Sequence, residues 1–360
     1  MDSMSCGVLG QLRLLGALLG ASCIAASGAV AQQIPGSDPG SDSRTRFREI
    51  FCAVQAAHGS LYPYDRPCDR ALHRLGGESA PTGKAVYLGP ARVRLRIVVV
   101  PGILGECVAR MATPFEDGIE PLRQRGWTVQ SLRVSGRGDS AHNAKQIRDQ
   151  LRALHLMPNE KLVLIGYSKG MSDILELLGS SDESVIPAGS SIVSLTGVVR
   201  GTPIADRASP AYRMFRRLPV PGCPAGPGNA VESLTREHRL RWLATHRLPV
   251  RLRYYSLPAF ADLANISAVL RSSWRTLATI DPKNDGNVIA SDSVIPGGST
   301  LGYANSDHWA LVLPFALKAP MRAKLFATKN EYPRVVLLES IARFFDELYL
   351  AENTIASASK

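Results

Sequence analysis

Residues 161–178 read Lys-Leu-Val-Leu-Ile-Gly-Tyr-Ser-Lys-Gly-Met-Ser-Asp-Ile-Leu-Glu-Leu-Leu, and no other stretch restricts the fold as tightly. An apolar run, a glycine-bounded turn and a helix-like segment follow one another without a spacer, so a buried strand must reverse sharply into a helix. The expected strand covers 161–165 and the expected helix 169–178. Glycines two places before and two places after Ser168 remove side chains that would clash where strand and helix meet. The same order recurs around it: strands are expected at 93–100, 127–134 and 191–199, with helices at 114–125 and 140–154. Strict alternation with short connections implies right-handed crossovers and a mainly parallel, doubly wound α/β sheet. With 360 residues, 45% hydrophobic and 20% charged, the chain has ample apolar material for such a core. Disordered, collagen-like and multi-span membrane classes are excluded.

The pentapeptide Gly166-Tyr167-Ser168-Lys169-Gly170 resembles the nucleophile elbow of the α/β-hydrolase superfamily, in its serine lipase and esterase-like branch. The resemblance covers roughly residues 92–348 and implies the α/β-hydrolase fold, with nucleophile, acid and histidine in that chain order. His308, in Asn305-Ser306-Asp307-His308-Trp309-Ala310, lies well downstream of Ser168 and follows a strand-like segment at 300–303, where the family places its base. His58, His73, His142 and His155 precede the serine and read as surface or structural, and His238 and His246 belong to an insertion. Asp281-Pro282-Lys283-Asn284-Asp285-Gly286 is similar to the Asn-Asp-Gly turn of many lipases, which implies Asp285 as the acid, with Asp281 and Asp292 in reserve. Asp307 is disfavoured because it neighbours the histidine it would have to orient.

The implied oxyanion donors are backbone amides. One belongs to Lys169, at the helix N-terminus; the other to Ile103 in Pro101-Gly102-Ile103-Leu104-Gly105, where proline replaces the family's frequent histidine. Gly201-Thr202-Pro203 is similar to the segment that leaves the sixth strand in such lipases and implies a lid insertion at 205–275. There Met214, Phe215, Leu218, Trp242 and Leu243 either line an acyl path or form the lid's own core. The resemblance requires no metal and no organic cofactor. It implies a small-molecule or lipid ester as substrate. Three function classes stay open: hydrolysis of carboxylic esters, acyl transfer to an alcohol on the same triad, and a non-catalytic cell-envelope binding module on the hydrolase fold.

Residues 1–31 read as a secretory signal, with a basic start ending near Arg13, an apolar stretch, and Ala29-Val30-Ala31 before Gln32. Cleavage after Ala31 implies a periplasmic or secreted protein. An uncleaved anchor competes, since residues 14–31 carry no charge. A lipid anchor on Cys23 is disfavoured because Gly20 stands where a large aliphatic residue is expected. The layout is then a signal (1–31), an N-terminal lead-in (32–90), the hydrolase domain (91–350) and a tail (351–360). Four cysteines remain, and in an exported chain Cys52 with Cys68 is the natural local disulfide, worth roughly 3 kcal/mol on chain entropy. That leaves Cys107 with Cys223 as a second pair. The net charge is +11, and residues 211–256 hold nine arginines against two glutamates. This concentration suggests contact with anionic lipid or an envelope polymer; nucleic acid is disfavoured because no recognised binding module surrounds it.

Overall fold

Apolar residues at 47, 50, 51 and 54 recur at helical spacing, and helix α1 (Ser43–His58) buries all four of them. A disulfide joins Cys52 of α1 to Cys68, the first residue of the one-turn helix α2 (Cys68–Ala71). The short strand β1 (Leu72–His73) follows directly. The computed structural model describes residues 43–358 apart from 104, 106–111, 209–228, 319, 322–323, 325–326 and 330. The expected signal, the Cys107–Cys223 pair and the lid residues Met214, Phe215 and Leu218 lie outside the described residues.

The central sheet is built from β2 (Leu95–Val100), β3 (Thr128–Ser131), β4 (Lys161–Tyr167), β5 (Ser191–Leu195), β6 (Arg253–Leu257) and β8 (Ser299–Thr300). It runs in the order β3-β2-β4-β5-β6-β8, and every pairing is parallel. Successive residues of a strand point to opposite faces, so a strand covered on both sides must be apolar throughout. Val98, Leu162, Leu164 and Ile192 enter one core, beneath α4 (Ser140–Arg152) and α5 (Lys169–Leu178). Ile97, Val99, Val163, Ile165 and Val193 enter the other, beneath α1 and α10 (Arg334–Ala358), with α3 (Glu116–Gln124) at its edge. Each such side chain contributes about 1.5–3 kcal/mol by leaving water. The doubly wound α/β class expected from the alternation is the one observed.

A second, three-stranded sheet joins β1, β9 (Tyr303–Asn305) and β7 (Ala259–Phe260) in the order β1-β9-β7. The single strand-like segment at 300–303 is thus two strands, one in each sheet, because Leu301 and Gly302 carry the chain between them. The range 205–275 is not one continuous lid either. It contains β6, which pairs with β5 along Arg253–Leu257, and in the described central sheet the excursion follows the fourth strand in chain order. Within it, α7 (Arg236–Thr245), which comes after the one-turn α6 (Pro203–Asp206), buries Trp242 among Leu177, Leu178 and Leu252 of the sheet's own core. Trp242 therefore belongs to neither an acyl path nor a separate lid core. Its indole Nε1 donates to Glu176, 2.9 Å away. Residues 351–358, expected as a tail, continue α10, because Phe345 and Tyr349 hold its preceding turns in the core.

The arginine excess is also redistributed. Arg239, Arg241 and Arg253 pair with Glu176, Glu237 and Glu352 at 3.0, 2.5 and 2.6 Å, and Arg236 and Arg251 pair with Asp292 and Glu183. Four of those five carboxylates come from outside 211–256, so a tally within the segment alone overstates its field. Among the described residues no helix is long and apolar enough to cross a membrane.

Candidate active site

Ser168 stands between the last residue of β4 and the first of α5, with φ 54° and ψ −125°. A non-glycine residue at positive φ costs of order 1–3 kcal/mol and persists only when its surroundings enforce it. Here they do: the Ser168 amide donates to Leu195, and its carbonyl accepts from Met171 and Val198 at 3.1 and 3.0 Å. The two elbow glycines are needed for close approach. A Cβ on Gly166 would stand 2.5 Å from the Met171 Cα, and one on Gly170 2.2 Å from the Val100 carbonyl oxygen. Ser168 is 6% exposed, and its hydroxyl lies against His308.

The three expected side chains meet. His308 Nε2 lies 2.8 Å from Ser168 Oγ, and His308 Nδ1 lies 2.6 Å from Asp285 Oδ2. A carboxylate only accepts, so Nδ1 carries the proton and Nε2 presents a lone pair to the serine hydroxyl. Asp285 is itself fixed: its Oδ1 accepts the amides of Asn287 and Val288 at 2.9 and 2.7 Å, and its carbonyl accepts the His308 amide at 2.9 Å. Both His308 and Asp285 are buried. The reserve acids are occupied elsewhere, Asp281 with the Lys283 amide at 2.8 Å and Asp292 with Arg236.

Asp307 has a part that sequence reading did not supply. Its Oδ1 accepts the amides of Trp309 and Ala310 at 3.0 and 2.7 Å, and its Oδ2 that of Ser267 at 2.9 Å. Burial pushes its carboxyl above the usual range despite these donors. It ties the histidine turn to the loop ahead of α8 (Arg271–Ala278). Tyr167 does the same from the elbow side. Its hydroxyl donates to the His308 carbonyl at 2.8 Å and its ring lies 5.1 Å from the imidazole; burial raises its phenol well above the ordinary value. The position of Tyr167 inside the pentapeptide was a visible signal, but nothing in the sequence tells where its hydroxyl ends.

Gly102 lies directly against the nucleophile, since a Cβ there would stand 2.8 Å from the Ser168 Cβ. Ile103 follows it and packs on a small cluster that includes Val198 and Val288. Other histidines are engaged elsewhere: His58 pairs with Glu339, His73 stacks on Phe260, His238 lies 3.5 Å from Glu176 and His246 stacks on Trp242. Among the described residues no group of three histidine, cysteine, aspartate or glutamate side chains is placed to hold a metal ion.

The fold has solved counterparts. The crystal structure of the metagenomic carboxyl esterase MGS0156 is 43% identical, with TM-score 0.80 over 85% of this chain and 92% of that one. A lipase from Staphylococcus hyicus shares the fold at 13% identity, with TM-score 0.53 over 75% of this chain and 100% of that one. No protein-family model matches the chain, and comparison with curated proteins gives no match.

Proposed function

The chain belongs to the carboxyl-esterase and lipase group of the α/β-hydrolases, and on that premise we propose that Ser168, His308 and Asp285 hydrolyse carboxylic esters through an acyl-enzyme. Kinship makes it an ester-hydrolysing serine hydrolase; the residue roles rest on geometry. The observation that carries them is the unbroken run of hydrogen bonds from Asp285 through His308 to Ser168, at 2.6 and 2.8 Å.

His308 Nε2 takes the hydroxyl proton as Ser168 Oγ bonds to the ester carbonyl carbon, and the carbonyl electron pair moves onto oxygen. The amides of Lys169 and Ile103 meet that oxyanion, a contact worth about 3–4 kcal/mol per donor in comparable enzymes. Collapse expels the alcohol, which receives the proton from Nε2. Water, deprotonated by the same nitrogen, then releases the acid and restores the serine. Asp285 holds the tautomer throughout and stabilises the transient imidazolium.

A signal over 1–31 and export accompany this reading, with the lead-in at 32–90, the domain at 91–350 and the lid role kept to the part of 205–275 ahead of β6. The Cys52–Cys68 disulfide supports an oxidising compartment. Turnover of p-nitrophenyl esters of graded chain length, with Ser168→Ala as control, tests the assignment. Ser168→Ala should retain no turnover above background, and a variant as active as the parent would refute it.

A further inference from the structure

Directly behind the serine the chain buries a lysine. Lys169 is 1% exposed, and its Nζ lies 2.6 Å from Oδ1 of Asp173, one turn further along α5. The other carboxylate oxygen of Asp173 accepts from Asn143 Nδ2 at 2.7 Å. The hydroxyl of Ser140, the first residue of α4, is shared between Asp173 and Ser233. A second buried pair, Arg239 with Glu176 at 3.0 Å, follows on the same helix, and the Asp173 charge acts on Arg239 as well. Removing such charges from water costs several kcal/mol per ion, and apolar residues of similar volume usually pack as stably or more so. Asp173 is the partner of this lysine and Asn143 the partner of Asp173, and the Lys169 backbone starts the helix that Ser168 caps.

We propose that the buried Lys169–Asp173 pair is a positioning device for the nucleophile elbow, holding the first turn of α5 so that the Lys169 amide stays aimed at the developing oxyanion. This rests on the reading of Ser168 as nucleophile. The pair links both ends of that turn, and Asn143 and Ser140 brace it against α4. A loosened first turn leaves the histidine in place but spoils the aim of one donor and slackens the hold of the Met171 amide on the Ser168 carbonyl.

The test compares the parent with the double variant Lys169→Met/Asp173→Leu, which removes both charges together so that neither is left buried alone. Thermal melting, kcat and KM for p-nitrophenyl acetate, and inhibition by phenylboronic acid, a tetrahedral serine adduct former, are measured on the full chain. The expected result is a melting point equal to or above the parent's, a kcat at least tenfold lower, KM within about threefold, and boronate affinity falling in step with kcat. Unchanged kcat and boronate affinity would overturn the proposal while Ser168→Ala stays inactive, which keeps the nucleophile reading intact. A lower melting point with kcat reduced but boronate affinity unchanged would overturn it too, marking the pair as a support only. An active Ser168→Ala would instead refute the parent reading.

Discussion

Asp285→Asn should separate the orientation of the base from its presence. Asp285 Oδ2 receives the Nδ1 proton of His308 at 2.6 Å, while Oδ1 receives the amides of Asn287 and Val288. An asparagine has a single acceptor oxygen, and two backbone donors claim it; an amide NH2 turned towards them would set donors against donors. The side-chain nitrogen is therefore left facing His308 Nδ1. The imidazole must present a lone pair there and carry its proton on Nε2, pointing at Ser168 Oγ from 2.8 Å. In that tautomer it cannot accept the serine proton. Loss of the correct tautomer costs about 10⁴ in kcat in a comparable triad, or about 5 kcal/mol of transition-state stabilisation. Because both backbone amides keep their acceptor, the variant should melt within a few degrees of the parent. Asp281→Asn and Asp292→Asn, assayed in parallel on p-nitrophenyl acetate, should stay within about threefold, since neither carboxylate reaches His308. A kcat for Asp285→Asn within tenfold of the parent, at neutral pH, would refute the tautomer argument.

Other consequences are as direct. Gly170→Ala would set a Cβ 2.2 Å from the Val100 carbonyl and 2.8 Å from that of Pro101, backbone atoms with no room to yield; urea titration should show a loss of at least about 3 kcal/mol. Gly76→Ala, with open space around the site, should stay within about 0.5 kcal/mol. Replacing Cys52 and Cys68 by serine should cost roughly 3 kcal/mol for a bridge spanning 16 residues, read as a lower melting point that a reductant no longer changes. For Asp307, burial raises the carboxyl above its ordinary 3.8, so the folded protein holds that proton more tightly than the unfolded chain. Its stabilising contribution is complete below 3.8 and is lost as pH rises through the raised value. The stability of the parent relative to Asp307→Asn should therefore decline as pH rises from about 4; an increase would contradict the shift.

What could be read from the chain was what local pattern encodes. The helix after Ser168 has the expected bounds, because an apolar strand and two glycines leave it one place to begin. Order along the chain pointed to His308, and Asp285 needed the likeness to the lipase Asn-Asp-Gly turn as well, since Asp281 and Asp292 share its place in that order. The structure brings both within hydrogen-bond reach of one another, and His308 within reach of Ser168. What stayed hidden depends on partners far away in sequence. Trp242 looked like lid material until its indole and ring were seen to reach Glu176 and Leu252. The arginine cluster reads as a field in sequence, but four of its nine members, Arg236, Arg239, Arg251 and Arg253, meet carboxylates from distant segments. The place of Asp307 beside His308 argues against it as the orienting acid, and nothing in that neighbourhood tells that its carboxylate clasps Ser267. Lys169 entered as an amide; its buried side chain depends on α4 lying alongside, which no window around the serine contains.

The packing of α1 against α10 bears on how the protein is made. Arg46 reaches Glu347 at 2.6 Å across a separation of 301 residues, and Glu339, wholly enclosed, collects His58, Arg125 and Arg343. A chain emerging from the ribosome releases Phe47, Phe51 and the inner strands long before Val336 and Ile341 exist to cover them. Assembly of that layer waits for the last 25-residue helix, so synthesis and folding are separated in time. Until then the nascent chain exposes much of one face of its core, a state that needs protection from aggregation.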